Sequence, residues 1–542
     1  MIGPHRVDGD DMRVSTLPAI IAGLCLSLCV AGSATAQKSG GILRIYHRDS
    51  PASMSIHEEG TIGVILPMMG VFNNLVVYDQ HVPQNSMQSI VPDLATSWSW
   101  NADNTALTFK LREGVKWHDG QPFTAADVKC TMDLLINKAP EKLRLNYRES
   151  WWTNVDSTTT NGDLEATVHL KQPQPAILAM LASGYSPIYP CHVSPAQMRQ
   201  HPIGTGPFKF VEYKPNQDIK LAKNPDYWKP GRPYLDGVEY QIIPNRSTAI
   251  LAFVSGQFDM TFPYEVTFPL LKDIKNQMPQ AVCESGPATE SIGVLMNRTK
   301  PPFDNADVRA AVALALDRKS FIDILGQGEG DIGGALLPPP EGVWGMPAER
   351  LASLPGYGGD VAQNREKARA LMQKAGYGPD KHLAVKLSVR NLAVYRDPGT
   401  ILLDQLKEIW IDGELETVET ANWVPKLIRK DFILGLNVLG NAVDDPDVTF
   451  YQNYVSASKR NYAGYNDPDF DKLVDQQSQE TDPDKRKKLA QDADYKLQEG
   501  LGRPIVYHLR AATCWQPLLK GVTLMINSQY NGWRMEDWWL DK

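Results

Sequence analysis

The chain has 542 residues, enough for two to four domains at roughly 150 residues each. At 42% hydrophobic, 22% charged and 9% aromatic it has the profile of a folded globular protein, which excludes disorder, collagen-like repeats and disulfide-dense miniature scaffolds. Lys+Arg 55 against Asp+Glu 63 leaves a net charge of −8, the wrong sign for a phosphate backbone, so nucleic acid is not an expected partner.

Leu17 to Gly32 are mostly apolar or small, and Ala34-Thr35-Ala36 supplies a small-x-small cleavage pattern before Gln37. Residues 1–36 therefore read as a cleavable signal peptide. The apolar run, about sixteen residues, is short of the ~20 a permanent membrane helix needs. Asp8, Asp10 and Asp11 stand where a positive segment is expected, so Met12 competes with Met1 as the true start. Cys25 and Cys29 each follow a bulky Leu and make no lipoprotein site. The other four cysteines (Cys130, Cys191, Cys283, Cys514) are far apart, against a structural zinc site. Export permits disulfides, but spacing leaves their pairing and even their oxidation open.

In the mature chain, Ile42 to Tyr46 reads as a strand and about 62–75 as a helix, although Pro67 and Gly70 fall inside it. Leu107 to Arg112 alternates with period two, a half-buried strand. Glu113 to Gly120 turns out of it, and Thr124 opens a helix with Asp127 completing a capping box. Asp236 to Ile243 is a strand, Ser247 to Ser255 a helix closed by Gly256, and Ser291 to Met296 a buried strand. Asn305 caps a helix to Leu316, loops rich in Pro and Gly fill 326–341 and 352–360, and further helices cover 365–374, 395–410 and 484–499. Strands and helices interleave throughout, which predicts a mixed α/β fold in at least two lobes.

Enzyme signatures fail on context. Gly328-Glu-Gly-Asp-Ile-Gly333 matches a dinucleotide fingerprint literally, but it follows a helix and runs into Pro338-Pro-Pro340, so it is a loop. There is no Walker A motif and no Gly-x-Ser-x-Gly elbow. Asp467-Pro-Asp-Phe-Asp471 starts like a calcium loop but carries Lys472 where Gly is required and Ser478 where Glu is. The mature histidines form no His-x-x-x-His pair. No metal, no cofactor and no enzymatic activity are expected, a secreted two-lobed hydrolase being the rival reading.

The run Thr108-Phe-Lys-Leu-Arg-Glu-Gly-Val-Lys-Trp-His-Asp-Gly-Gln-Pro-Phe-Thr-Ala-Ala-Asp-Val128 resembles the hallmark of family 5 extracellular solute-binding proteins, the dipeptide, oligopeptide and nickel receptors of ABC importers. Further matches stand at Pro92 to Trp98, Gly204 to Phe208, Asn224 to Trp228, Pro301 to Asn305 and Asp482 to Arg486, in the family's order. The resemblance implies an α/β bilobal periplasmic-binding-protein fold with two hinge crossovers and an extra subdomain inserted in lobe I. Lobe I would take 37–78, 203–288 and 507–542, the inserted subdomain 79–202, and lobe II 289–506, with crossovers near 288–297 and 503–511. It also implies a monomeric periplasmic receptor that closes on a small-molecule solute and hands it to an ABC permease in the inner membrane.

Closure is driven by differential affinity for the closed state, so contacts should come from both lobes. By resemblance, Glu58, Glu59, Gly60 and Thr61 lie where peptide-binding relatives touch peptide backbone. In lobe II, peptide receptors carry a Trp and, three residues on, an Asp for the peptide α-ammonium, just ahead of an acidic-Pro pair. Aligning that pair on Asp445-Pro446 puts Leu439 and Ala442 at those positions. A buried ammonium without a carboxylate partner is costly, so the expected ligand is a non-canonical peptide-like or non-peptide solute. Asn441, Asp444 and Asp445 are the polar candidates beside Ala442, and Trp423, with Trp515 and Trp533, the aromatic ones.

Overall fold

The computed structural model describes residues 37–542. The expected signal peptide, the alternative start at Met12, Cys25 and Cys29 lie outside them.

Strand Ile42–His47 forms because its alternating side chains bury Leu43 and Ile45. It pairs in parallel with Gly237–Ile242, and the sheet continues antiparallel through Asp218–Lys223 to Phe208–Lys214. A second four-stranded sheet, all antiparallel, orders Ala95–Trp100, Ala106–Leu111, Glu165–Leu170 and Val155–Thr160. The capping box at Thr124 is present and opens helix Ala125–Leu135. These elements share one large apolar core.

The largest sheet has six strands, in the order Gly330–Asp331, Ile505–Trp515, Val282–Met296, Leu434–Gly440, Leu383–Arg390, Ile411–Val418. Its far side belongs to a second core, with helices Ala306–Ala315 and Ala393–Lys407 beside it. A third, smaller core is built on helices Pro446–Asn453, Pro468–Gln479 and Pro483–Glu499.

Two long strands join the first core to the second. In Val282–Met296, Ala288 lies in the first core and Ile292 to Met296 in the second. In Ile505–Trp515, Val506 and Tyr507 lie in the second core and Ala511 to Trp515 contribute to the first. The two run antiparallel, and their register shifts between Pro287 and Ser291, where one core gives way to the other. Thr289, inside that shift, has φ +49°, a left-handed conformation that a β-branched residue rarely adopts. Its carbonyl accepts from Asn441 N–H at 3.0 Å.

The cysteines pair as Cys130–Cys191 and Cys283–Cys514, the second across the two long strands. The helix expected over 62–75 stops at Met68. Gly70 and Val71 carbonyls instead accept from Phe208 and Gly206 N–H, both at 3.0 Å, so this stretch is spent on pairing with a distant segment. Helix Arg246–Val254 starts one residue earlier than expected, under an Asn245 cap. Helix Val361–Lys374 starts four residues earlier, under Asp360. No described helix is long and apolar enough to cross a membrane.

Candidate functional site

Three strands end at one place. Arg48 directly follows Ile42–His47, Arg390 closes Leu383–Arg390, and Gly440 closes Leu434–Gly440. Carboxyl ends of strands are where α/β sheets leave a crevice, because the connections diverge there. The crevice holds a small cavity of about 40 Å³. One wall carries Arg48, Gly60, Thr61, Arg148, Tyr185 and Tyr530. The facing wall carries Arg390, Tyr395, Val438, Gly440, Ala442, Gln452 and Arg460, with Glu290 from the crossover strand. Side chains packed on both large cores therefore meet around one space.

Arg48 donates to Glu265 at 2.9 Å. Burial works against its charge, but Glu265, Glu290 and Asp49 outweigh that and hold the guanidinium above its ordinary range. Arg390 is ion-paired with Asp49, so strand ends on opposite walls are tied by charge. Glu290 is buried, and burial pushes its carboxyl up against the pull of Arg48. Tyr530 Oη lies 3.5 Å from that carboxylate, and the Tyr530 and Tyr185 rings are 5.3 Å apart. Gln452 is fixed by Trp151, whose indole N–H donates to its side-chain oxygen at 2.7 Å. Gly440 has no room for a side chain: a Cβ there would fall 1.7 Å from Tyr530 Oη.

The family model for bacterial extracellular solute-binding proteins, family 5 Middle, matches residues 89–462. The chain belongs to the family 5 solute-binding proteins of ABC importers. Among its relatives, the oligopeptide-binding protein AppA of Bacillus subtilis is 26% identical over 81% of each chain. The glutathione-binding protein GsiB of Escherichia coli O6:K15:H31 is 28% identical, over 60% of this chain and 61% of its own. The solved periplasmic binding protein DppA of Helicobacter pylori, in complex with the peptide STSA, superposes with a TM-score of 0.81 at 22% identity. That match covers 93% of this chain and 99% of DppA. The two large cores and the strands joining them are thus the α/β bilobal fold of family 5, whose members are binding proteins of transporters and not enzymes.

Of the nine residues singled out as candidate ligand contacts, Gly60, Thr61 and Ala442 line the cavity. Glu58 is fully buried and ion-paired with Arg199 at 3.0 Å. Glu59 offers its backbone carbonyl to Arg148, while its carboxyl accepts from Ser53 and is pushed up to about 7 by burial. Asn441 accepts from Thr449. Asp444 accepts from Val343 N–H, and Asp445 takes Arg486 through two nitrogens, at 2.9 and 2.7 Å. Trp423 is buried in the second core and donates to Asn437; Trp515 and Trp533 are core residues too. None of these eight residues lines the cavity. Arg48, Arg148, Glu290, Arg390 and Arg460 do, and no local motif marked them.

Proposed function

We propose that this protein is the periplasmic receptor of an ABC importer for a compact solute, peptide-like or non-peptide, rather than for an extended oligopeptide. The observation that carries the reading is the cavity itself. It is walled from both cores and, with the walls together, encloses only about 40 Å³, so no extended chain fits between them. A solute touching Arg48 and Thr61 on one side and Arg390 and Tyr395 on the other binds only when the walls are together, so it stabilises the closed form. The permease then reads closure. Two disulfides suit an oxidising compartment, in keeping with an exported chain. Ala442 lines the cavity without a carboxylate, which removes the ammonium partner expected in an ordinary peptide receptor.

A thermal-shift screen of residues 37–542 tests this, with di- to pentapeptides, opine-type conjugates, oligosaccharides and nickel chelates. Ligand at about 100 times its Kd adds roughly 2.7 kcal/mol of stability. A compact solute should give the largest rise and be recovered intact. A larger rise from pentapeptides would overturn the reading.

A further inference from the structure

Of the four arginines lining the cavity, two are answered within the fold, Arg48 by Glu265 and Arg390 by Asp49. Among the described residues, Arg148 and Arg460 make no ion pair with a carboxylate. Arg148 is 3% exposed. Its guanidinium lies 3.3 Å from the centroid of the Tyr185 ring, and its terminal nitrogens donate to backbone carbonyls, Glu59 at 3.0 and 2.9 Å and Ile56 at 3.3 Å. Its Nε–H has no acceptor. Arg460 comes from the opposite wall, and its Nη1 would lie 3.7 Å from a Cβ at Gly60. Its Nε–H is likewise buried and unanswered.

Arg148 is buried and Arg460 half-buried, and a guanidinium taken out of water without a counter-charge is unfavourable for the fold. Burial pulls Arg148 down to about 10, with Arg460 adding to the effect. The lining carboxylate, Glu290, does not answer them: it sits beside Arg48 and Tyr530. A guanidinium presents N–H donors in a plane that matches a carboxylate edge. We infer that this receptor, on the reading given above, takes a compact anionic solute whose carboxylate lies between Arg148 and Arg460. The missing acid at Ala442 and these surplus cations then describe the same preference from two sides, with the charge of the site inverted relative to one built for an ammonium.

The test uses residues 37–542, unfolded and refolded to strip any retained ligand, as wild type and as Arg460→Gln and Arg148→Gln. Melting is followed with glutarate, N-acetylglutamate, uncharged glutaramide, inorganic phosphate and maltotriose. Both carboxylates should raise the melting temperature while glutaramide and maltotriose do not. Arg460→Gln should weaken carboxylate binding by about tenfold to a hundredfold, the loss of a charge-assisted hydrogen bond. Without ligand that variant should melt no lower than wild type, because it relieves an unanswered charge. Arg148→Gln should lose the same response if it folds; Arg460→Gln carries the test if it does not. Silence from both carboxylates, a response to phosphate alone, or equal binding by glutaramide would overturn the inference. So would a ligand-free Arg460→Gln that melts well below wild type, which would make the arginine structural. A response to maltotriose alone would sink the anion while leaving the compact-solute receptor standing.

Discussion

Gly440 offers the sharpest test of how the cavity is built. The residue ends strand Leu434–Gly440, and an added Cβ would fall 1.7 Å from Tyr530 Oη and 2.5 Å from its Cζ. Tyr530 is only 5% exposed and packs in the first core, so its ring can yield only toward the cavity. Gly440→Ala should therefore cost about 1–3 kcal/mol as overpacking, less the few tenths a strand gains from losing glycine. In urea melts that appears as a lower midpoint at unchanged slope. Tyr530→Ala alone should cost about 3–5 kcal/mol for the lost ring and the space left behind. In that background Gly440→Ala should cost close to nothing. The cycle should thus show a coupling of about 1–3 kcal/mol, far outside the additivity expected of independent sites. Equal penalties for Gly440→Ala with and without the Tyr530 ring would refute the steric argument and the packing of the two walls that it rests on.

Three further outcomes follow from other contacts. The Cys283–Cys514 link spans 231 residues and Cys130–Cys191 spans 61, so chain entropy makes the first worth more, about 5.5 against 4 kcal/mol as upper values. Serine pairs at each, compared by denaturant midpoint, should fall in that order. Asp444 is half-buried, and desolvation pushes its carboxyl up from 3.8 to about 7. The folded state thus favours the protonated form, and the stability it brings is complete below 3.8 and gone above about 7. Asp444→Asn should match wild type at the acid end and gain on it as pH rises through that window, then level off, as read by melting temperature across pH. Trp151→Phe should remove the 2.7 Å hydrogen bond that fixes Gln452 and weaken ligand binding by roughly tenfold, mostly in the off-rate, as stopped-flow or surface binding would show.

The fold was largely legible because its signals are local. Period-two alternation in 107–112, the Thr124–Asp127 box and the Asn305 cap act over a few residues, and the structure contains each of them. Long strand Val282–Met296 was read only over its last six residues, since Gly286 and Pro287 interrupt the apolar pattern. What extends it backwards is pairing with Ile505–Trp515, more than two hundred residues away. The same distance hid the cavity. Arg48, Arg148, Arg390 and Arg460 sit in unrelated local settings, and only tertiary closure makes them neighbours. Trp423 misled for the converse reason: an indole suits a ligand wall or a core, and the partner that settles it, Asn437, lies on a different element.

The Cys283–Cys514 bond rivets the two connecting strands together on the first-core side of their register shift. That link resists sliding of one strand along the other, and the register shift around Thr289 is where a change in the angle between the walls would bend them. Opening would part the Arg390–Asp49 pair and the Gly60–Arg460 approach, and closing would re-form both. In a binding protein that works by bringing two walls together, strands held in one register favour a reproducible closed shape.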